Sequence, residues 1–309
     1  MEKIAMRDAF GEALIELGTE DQRLVVLDAD VSSSTKTALF GAEFPDRFFN
    51  VGVAESNLAD VAAGLATAGY RPVISTFSIF LALKSTDQIR NVICYNNLPV
   101  IIAGGYGGLS DSFDGASHQS ITDLAIMRAF PNMTVVSPGD GGEVKDALQQ
   151  ALELDGPVFL RLSRNPTPKL FKDSDKLQIG KIRKITSGTE LTIAVTGIPT
   201  YMAVEAESML REEGISVDLL EISTLKPLDT GTLIASVKKT GKLLTVEEHS
   251  VIGGLGSACA EQLSRYNPCL IDMIGIEDTF TESGPYDELM SKYGLSVENI
   301  VKRAKALIK

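Results

Sequence analysis

Three stretches of this sequence carry the side chains best suited to chemistry. The first, NVGVAESN at 50–57, places Glu55 where a helical pattern begins. A carboxylate there can accept a hydrogen bond or a proton. It can equally do no more than meet the positive end of a helix dipole. The second, STFSIFLAL at 75–83, sets Phe77 and Phe80 three apart, so both can share one side of a helical turn. Two rings so placed form either ordinary core packing or an aromatic face for a flat heterocycle. The third, GGYGGLSDSFDGASHQS at 104–120, holds five glycines and four serines, together with Tyr106, Asp111, Asp114 and His118. A long irregular loop inside an α/β pattern is usually functional. A histidine in such a loop titrates near neutrality and suits general acid or base work.

The surrounding pattern shows what positions these stretches. Helical periodicity predicts helices at 6–18, 55–68, 85–94, 122–130 and 142–153. Between them lie apolar runs that read as buried strands at 23–27, 72–76, 100–104, 133–136 and 158–162. Continuous apolar strands alternating with helices imply a parallel sheet covered on both faces. In such sheets ligands bind beyond the carboxyl ends of the strands, where all three stretches fall. The alternation stops near Asn165, in a polar, proline-bearing segment, and resumes at 191–196. The expected organisation is therefore α/β with two doubly wound domains, 1–165 and a smaller 189–309, joined by a linker at 166–188. The helix at 55–68 is rich in alanine and glycine, which fits either tight packing within one domain or a subunit interface.

Composition excludes several classes. The net charge of −12 disfavours nucleic acid and anionic membranes as partners. No apolar run approaches the roughly 20 residues of a membrane-spanning helix, and no basic-then-apolar leader is expected at the N-terminus. Cys94, Cys259 and Cys269 are not in metal-ligand spacing and read as inert core thiols in a reducing, cytoplasmic setting. With only His118 and His249 among the histidines, no metal cluster stands out.

The three stretches, in this order and at these separations, resemble the pyrimidine-binding domain of the transketolase family. VGVAESN is similar to the run around the family's catalytic glutamate. Thr76-Phe77-Ser78-Ile79-Phe80 matches its aromatic segment, and Asp114-Gly115-Ala116-Ser117-His118-Gln119 resembles its DGxTHQ run. GYRPV at 69–73 and SPGD at 137–140 also fit. TLKPLD at 224–229 and VEEHSVIGGLGS at 246–257 look like its C-terminal domain.

The resemblance implies thiamine diphosphate as cofactor. Glu55 would hydrogen-bond N1′ of the pyrimidine and favour the imino tautomer, whose nitrogen takes the proton from thiazolium C2. Phe77 and Phe80 would pack on the ring. Leu83 stands where the family has a tyrosine, making the pocket more aliphatic, and Asp30 falls at a cofactor-site aspartate. Arg7, Ser34 and Arg164 fall at sugar-phosphate positions, and two arginines suit a phosphate through charge-assisted hydrogen bonds. Asp114 would contact a substrate hydroxyl, and His118 would exchange protons with substrate hydroxyls. One departure stands out: Tyr106 occupies a family histidine position, which puts the usual sugars in question.

The cofactor also needs Mg²⁺ and a diphosphate-binding domain. Gly139-Asp140-Gly141 followed by Asn165 mimics that domain's signature, but it lies within the SPGD loop and reads as a decoy. The GGLG at 253–256 lacks a dinucleotide-site third glycine and reads as a strand-to-helix turn. The expectation is thus the C-terminal subunit of a split transketolase. Its N-terminal partner would carry the diphosphate domain and the Mg²⁺ ligands in an α2β2 heterotetramer, with a ketose phosphate and an aldose as substrates. The rival expectation is the β-subunit of a 2-oxoacid dehydrogenase. A 1-deoxyxylulose-phosphate synthase fits less well, and a non-catalytic scaffold fits poorly with Glu55, Phe77, Phe80 and His118 all present.

Overall fold

Buried apolar strands build two parallel sheets in the computed structural model, which describes residues 2–309. Leu24–Asp28, Ile101–Gly105 and Val158–Arg161 are buried at every position, as strands covered on both faces must be. The first sheet has seven strands. Their order is Thr224–Lys226, Thr134–Val136, Val158–Arg161, Ile101–Gly105, Arg71–Phe77, Leu24–Asp28 and Phe48–Asn50. All pair in parallel except Thr224–Lys226, which lies antiparallel to Thr134–Val136. The second sheet runs Leu270–Ile276, Lys242–Ser250, Leu191–Thr196, Val217–Glu221, Arg183–Lys184, with only the last strand antiparallel. Two doubly wound α/β units result.

The units interlock through the chain between them. Pro166–Pro168 pairs antiparallel with Lys3–Ala5, and Arg183–Lys184 already belongs to the second sheet. Thr224–Lys226, far along the second unit, returns to edge the first sheet.

Two differences from the sequence reading bear on the site. Residues 78–84 form a helix, Ser78–Lys84, where only a loop with one helical turn was expected. Leu81 and Ala82 are fully buried and anchor it. The helix expected at 85–94 is Thr86–Gln88 followed by a wider π-helical stretch, Ile89–Cys94. At the C-terminus, helices Tyr286–Lys292 and Val297–Ile308 complete the second unit. The latter begins at Ser296, whose hydroxyl caps the Asn299 N–H.

The alanine-rich helix Glu55–Thr67 packs one face within the chain and leaves the other open. Ala59, Ala62, Ala63 and Ala66 are buried in the chain's own core. Its other face, with Asp60, Val61 and Gly64, is exposed, and a side chain grown at Gly64 would meet nothing within 4 Å. No helix among the described residues is long and apolar enough to cross a membrane. The cysteines are free thiols, and burial pushes Cys94 up to about 11.

Candidate active site

Strand register determines which side chains meet. Phe77 ends its strand opposite Gly105 of the neighbouring strand. The next residue, Tyr106, therefore lies beside Phe77, with ring centroids 4.5 Å apart. Tyr106 holds a left-handed backbone (φ 59°), uncommon for a bulky residue and of the kind that persists where surrounding structure enforces it. The helix Ser78–Lys84 then turns Phe80 back toward Phe77, at 5.8 Å between centroids. His118, at the far end of the glycine-rich loop, stands edge-on to both rings, 6.1 Å from Phe77 and 5.2 Å from Phe80. Its Nδ1 shares a hydrogen with Ser117 Oγ at 2.9 Å.

Glu55 is the first residue of its helix and only 6% exposed. Its carboxylate is engaged by Lys84, whose Nζ donates to Oε1 at 3.0 Å and also lies 4.3 Å from the Phe80 ring centroid. Glu55, Phe77, Phe80 and His118 thus line one place, with a carboxylate acceptor on one side and aromatic faces on another. The donor set fits a flat heterocycle bearing a ring N–H: the acid can accept that hydrogen bond and the rings can stack. Leu83, on the same helix, is exposed at its rim.

Asp30 follows the strand Leu24–Asp28, which lies between the strands Arg71–Phe77 and Phe48–Asn50. It has a left-handed backbone (φ 67°), is exposed, and accepts from Asn50 Nδ2 at 2.9 Å. Asn50 Oδ1 in turn accepts from Gly52 N–H, which ties the loop leading to Glu55.

Arg7 and Arg164 converge on Tyr106. Arg7 Nη1 donates to the Tyr106 hydroxyl at 2.8 Å, and the guanidinium carbons of Arg7 and Arg164 lie 5.9 and 5.2 Å from its ring centroid. Arg164 also pairs with Asp111, Nη1 to Oδ1 at 3.5 Å. Ser34 is half-buried in the short helix Ser32–Thr35, where its backbone N–H donates to Val31. Asp114 is exposed at the outer bend of the loop.

The second domain holds this loop in place. Leu109 N–H donates to Glu248 Oε1 at 2.7 Å, and Gly284 N–H to Ser112 O at 3.0 Å. Gln119, next to His118, donates to Glu282 O at 3.0 Å and accepts from the Thr281 hydroxyl. Gly115 (φ 77°) can be only glycine without strain, and a Cβ there would sit 2.4 Å from Ser283 Oγ.

Beneath the loop lies a buried charged cluster. Arg161 donates to Asp123 Oδ2 at 2.8 Å and to the carbonyls of Ser120 and Glu248. Ser78, the first residue of the helix that carries Phe80, donates to the same Asp123 oxygen at 2.5 Å. Burial alone would raise the Asp123 pKa; Arg161, His249 and Ser78 outweigh it and hold the carboxyl below its usual range. Burial brings His249 down to about 4, so it stays neutral at neutral pH. Burial likewise pushes Glu247 and Glu248 up to about 7.

The sequence reading singled out neither Lys84 nor the Asp123–Arg161 pair. A basic residue one position after Leu83, at the end of the aromatic segment, was the available signal for Lys84. Nothing local marks Asp123 and Arg161, which are 38 residues apart. The two glycine motifs have structural uses. Asp140 caps the turn Gly141–Glu143 through Glu143 N–H and also accepts from Leu170 N–H. The start of helix Leu255–Tyr266 is filled by Glu247, which accepts from Leu255 and Gly256 N–H at 2.6 and 2.8 Å. A phosphate would find that helix end already taken.

Comparison with known proteins places this architecture. The pyrimidine-binding domain of transketolase matches residues 2–169, and the transketolase C-terminal domain matches residues 180–300. The chain is 44% identical over 302 residues to a putative transketolase C-terminal section from Methanocaldococcus jannaschii, covering 96% of this chain and 94% of that one. It is 37% identical over 304 residues to a 6-deoxy-6-sulfo-D-fructose transketolase subunit, SqwH, of a Clostridium species, covering 98% and 94%. Among solved structures, a split-gene transketolase described as an inactive beta4 tetramer superposes with a TM-score of 0.92 at 45% identity, covering 99% of this chain and 98% of that one.

Proposed function

The chain belongs to the transketolase family, and from that premise we propose that it is the C-terminal subunit of a split, thiamine-diphosphate-dependent transketolase. In this reading it moves a two-carbon ketol unit from a ketose to an aldose. It works only with a partner that carries the diphosphate-binding domain and the Mg²⁺ ligands, as an α2β2 assembly in the cytoplasm. One observation carries the reading: two phenylalanines and a loop histidine cluster at the carboxyl ends of adjacent parallel strands, and Lys84 links that cluster to a buried glutamate. Relatives of nearly equal length, one named as a C-terminal section, support a chain that works as a separate subunit. So does the similar split-gene protein described as inactive when assembled from four beta copies.

When bound, the cofactor supplies a thiazolium carbon that acts as nucleophile and electron sink. The chain's own residues do the rest. Glu55 holds the pyrimidine N–H at its carboxylate, and burial keeps competing water away from that contact. Phe77 and Phe80 fix the ring plane. His118, edge-on to both rings, takes and returns a proton at a substrate hydroxyl. Asp114, Ser34, Arg7 and Arg164 bind the sugar, the arginines holding its anionic end. Tyr106 carries the Arg7 hydrogen bond where other members of the family have an imidazole, and Asp30 and Leu83 border the cofactor.

The test is coexpression with the neighbouring subunit and a screen of ketose donors with Mg²⁺ and thiamine diphosphate. Ketol transfer is expected from the pair and not from this chain alone. Robust turnover by the purified single chain would overturn the split assignment.

A further inference from the structure

Asp111 has no role in the reading above, yet it pairs with Arg164, one of the two arginines assigned to the substrate's anionic end. It is 1% exposed, in the glycine-rich loop between Tyr106 and His118. Its Oδ1 lies 3.5 Å from Arg164 Nη1, while its Oδ2 is buried without a hydrogen-bond partner. A buried, unpartnered carboxylate oxygen destabilises the fold, so an arrangement of this kind points to a use outside folding. Tyr106, in the same loop, engages its hydroxyl with Arg7. The titratable and charged groups facing Asp111 are Asp114 and His118 from its own loop and Arg164 from the segment after Val158–Arg161. Burial first, then Asp114, pushes the Asp111 carboxyl up to about 6, against the opposite pull of His118 and Arg164. At neutral pH it is ionised, but an additional negative charge nearby would drive it toward protonation.

We propose that Asp111 is a specificity-determining residue: it cancels part of the positive charge of Arg7 and Arg164, so the pocket favours a singly charged head group over a doubly charged one. The inference rests on the reading of Arg7 and Arg164 as ligands of the substrate's anionic end. With Asp111 ionised, Arg164 faces one buried carboxylate, with a second, Asp114, exposed on the same loop, while Arg7 reaches the same Tyr106 ring as Arg164. A phosphate monoester carries about −1.5 to −2 at pH 7, whereas a sulfonate, a strong acid, carries a single fixed charge. At a separation of about 10 Å and an effective dielectric near 20, the extra charge on a dianion changes binding on the order of tenfold. A dianion would therefore draw more proton uptake at Asp111 than a monoanion.

The test uses the assembled enzyme and two head-group mimics, methyl phosphate and methanesulfonate, titrated by ligand-detected NMR at pH 7.5. Wild type is expected to favour methanesulfonate relative to Asp111→Asn. In the variant the ratio of phosphate to sulfonate affinity should rise on the order of tenfold. Asp111→Ser, neutral and smaller, should move the ratio the same way, which guards against a packing artefact of one substitution. An unchanged ratio in both variants, with Arg164→Gln weakening both mimics, overturns the role of Asp111 and leaves the arginine reading standing. If Arg164→Gln weakens neither mimic, or if no protein binds either, the arginine reading fails and the inference falls with it.

Discussion

The ammonium of Lys84 sits between the two walls of the pocket, 3.0 Å from the Glu55 carboxylate and 4.3 Å from the Phe80 ring centroid. A heterocycle stacked on Phe80 and bonded to Glu55 needs that space, so its binding requires Lys84 to swing out. The Lys84 side chain is half-exposed, which makes the movement cheap. An ion pair of this exposure and a surface cation–π contact together stabilise by about 1–2 kcal/mol. Lys84→Met is therefore expected to lower the thiamine diphosphate Kd of the assembled enzyme by roughly five- to thirtyfold, read by calorimetry. A weaker Kd in the variant would mean that Lys84 binds the cofactor instead of occupying its place.

Glu55→Ala removes the only acceptor identified for the pyrimidine N–H. Turnover of the assembled enzyme is expected to fall by at least ~100-fold. Assembly should persist, because Glu55 sits in the first turn of its helix and caps no backbone group outside it. Size-exclusion chromatography with activity assay separates the two effects, and wild-type rates would remove Glu55 from the mechanism.

Gly115→Ala tests how tightly the loop is held. The backbone there is left-handed, and the new methyl would press on Ser283 of the second domain. Strain of about 1–2 kcal/mol is expected, as a lower melting temperature. Because His118 N–H bonds the Gly115 carbonyl, kcat should fall too. An unaltered melting curve would show that the loop accommodates the side chain freely.

Stability should fall as pH rises through neutrality. Glu248 has its folded pKa raised by burial from 4.5 to about 7, so its proton stabilises the folded state. That contribution is fully present below about pH 4.5 and is lost as pH passes 7, on the order of 2 kcal/mol between pH 5 and 8. Glu247 acts in the same direction. His249, lowered to about 4, acts oppositely but only below its unfolded value of 6.5. Denaturant melts at pH 6.5, 7.25 and 8 isolate the glutamates. Glu248→Gln can still accept from Leu109 N–H and should flatten that slope, and a slope unchanged by it would place the titration elsewhere.

Arg161→Met should cost about 3–5 kcal/mol, because it leaves Asp123 charged and unpaired in the interior. The double variant with Asp123→Asn should recover a large part of that loss. Urea melts of the two proteins measure the recovery, and none would mean that packing, not charge, dominates the site.

Much of this protein is legible from sequence alone. Continuous apolar runs determine the strands around Val25, Ile74, Ile102 and Phe159, and period-3.6 patterns the helices between them, since burying those side chains is the dominant driving term. Motif order determines that Glu55, Phe77, Phe80 and His118 belong to one family pattern. The helix Ser78–Lys84 was hidden because its seven residues follow a strand without a capping signal and share its apolar character. Partners distant in sequence were also decided only by the fold. Strand register brings Tyr106 beside Phe77, and helix direction brings Lys84 to Glu55 across 29 positions. The packing of the second domain places Glu248, Thr281 and Glu282 on the loop that carries His118. Local propensity is a property of neighbouring residues. Electrostatic pairing acts over a few ångströms of space, and only the tertiary fold decides which residues lie that close.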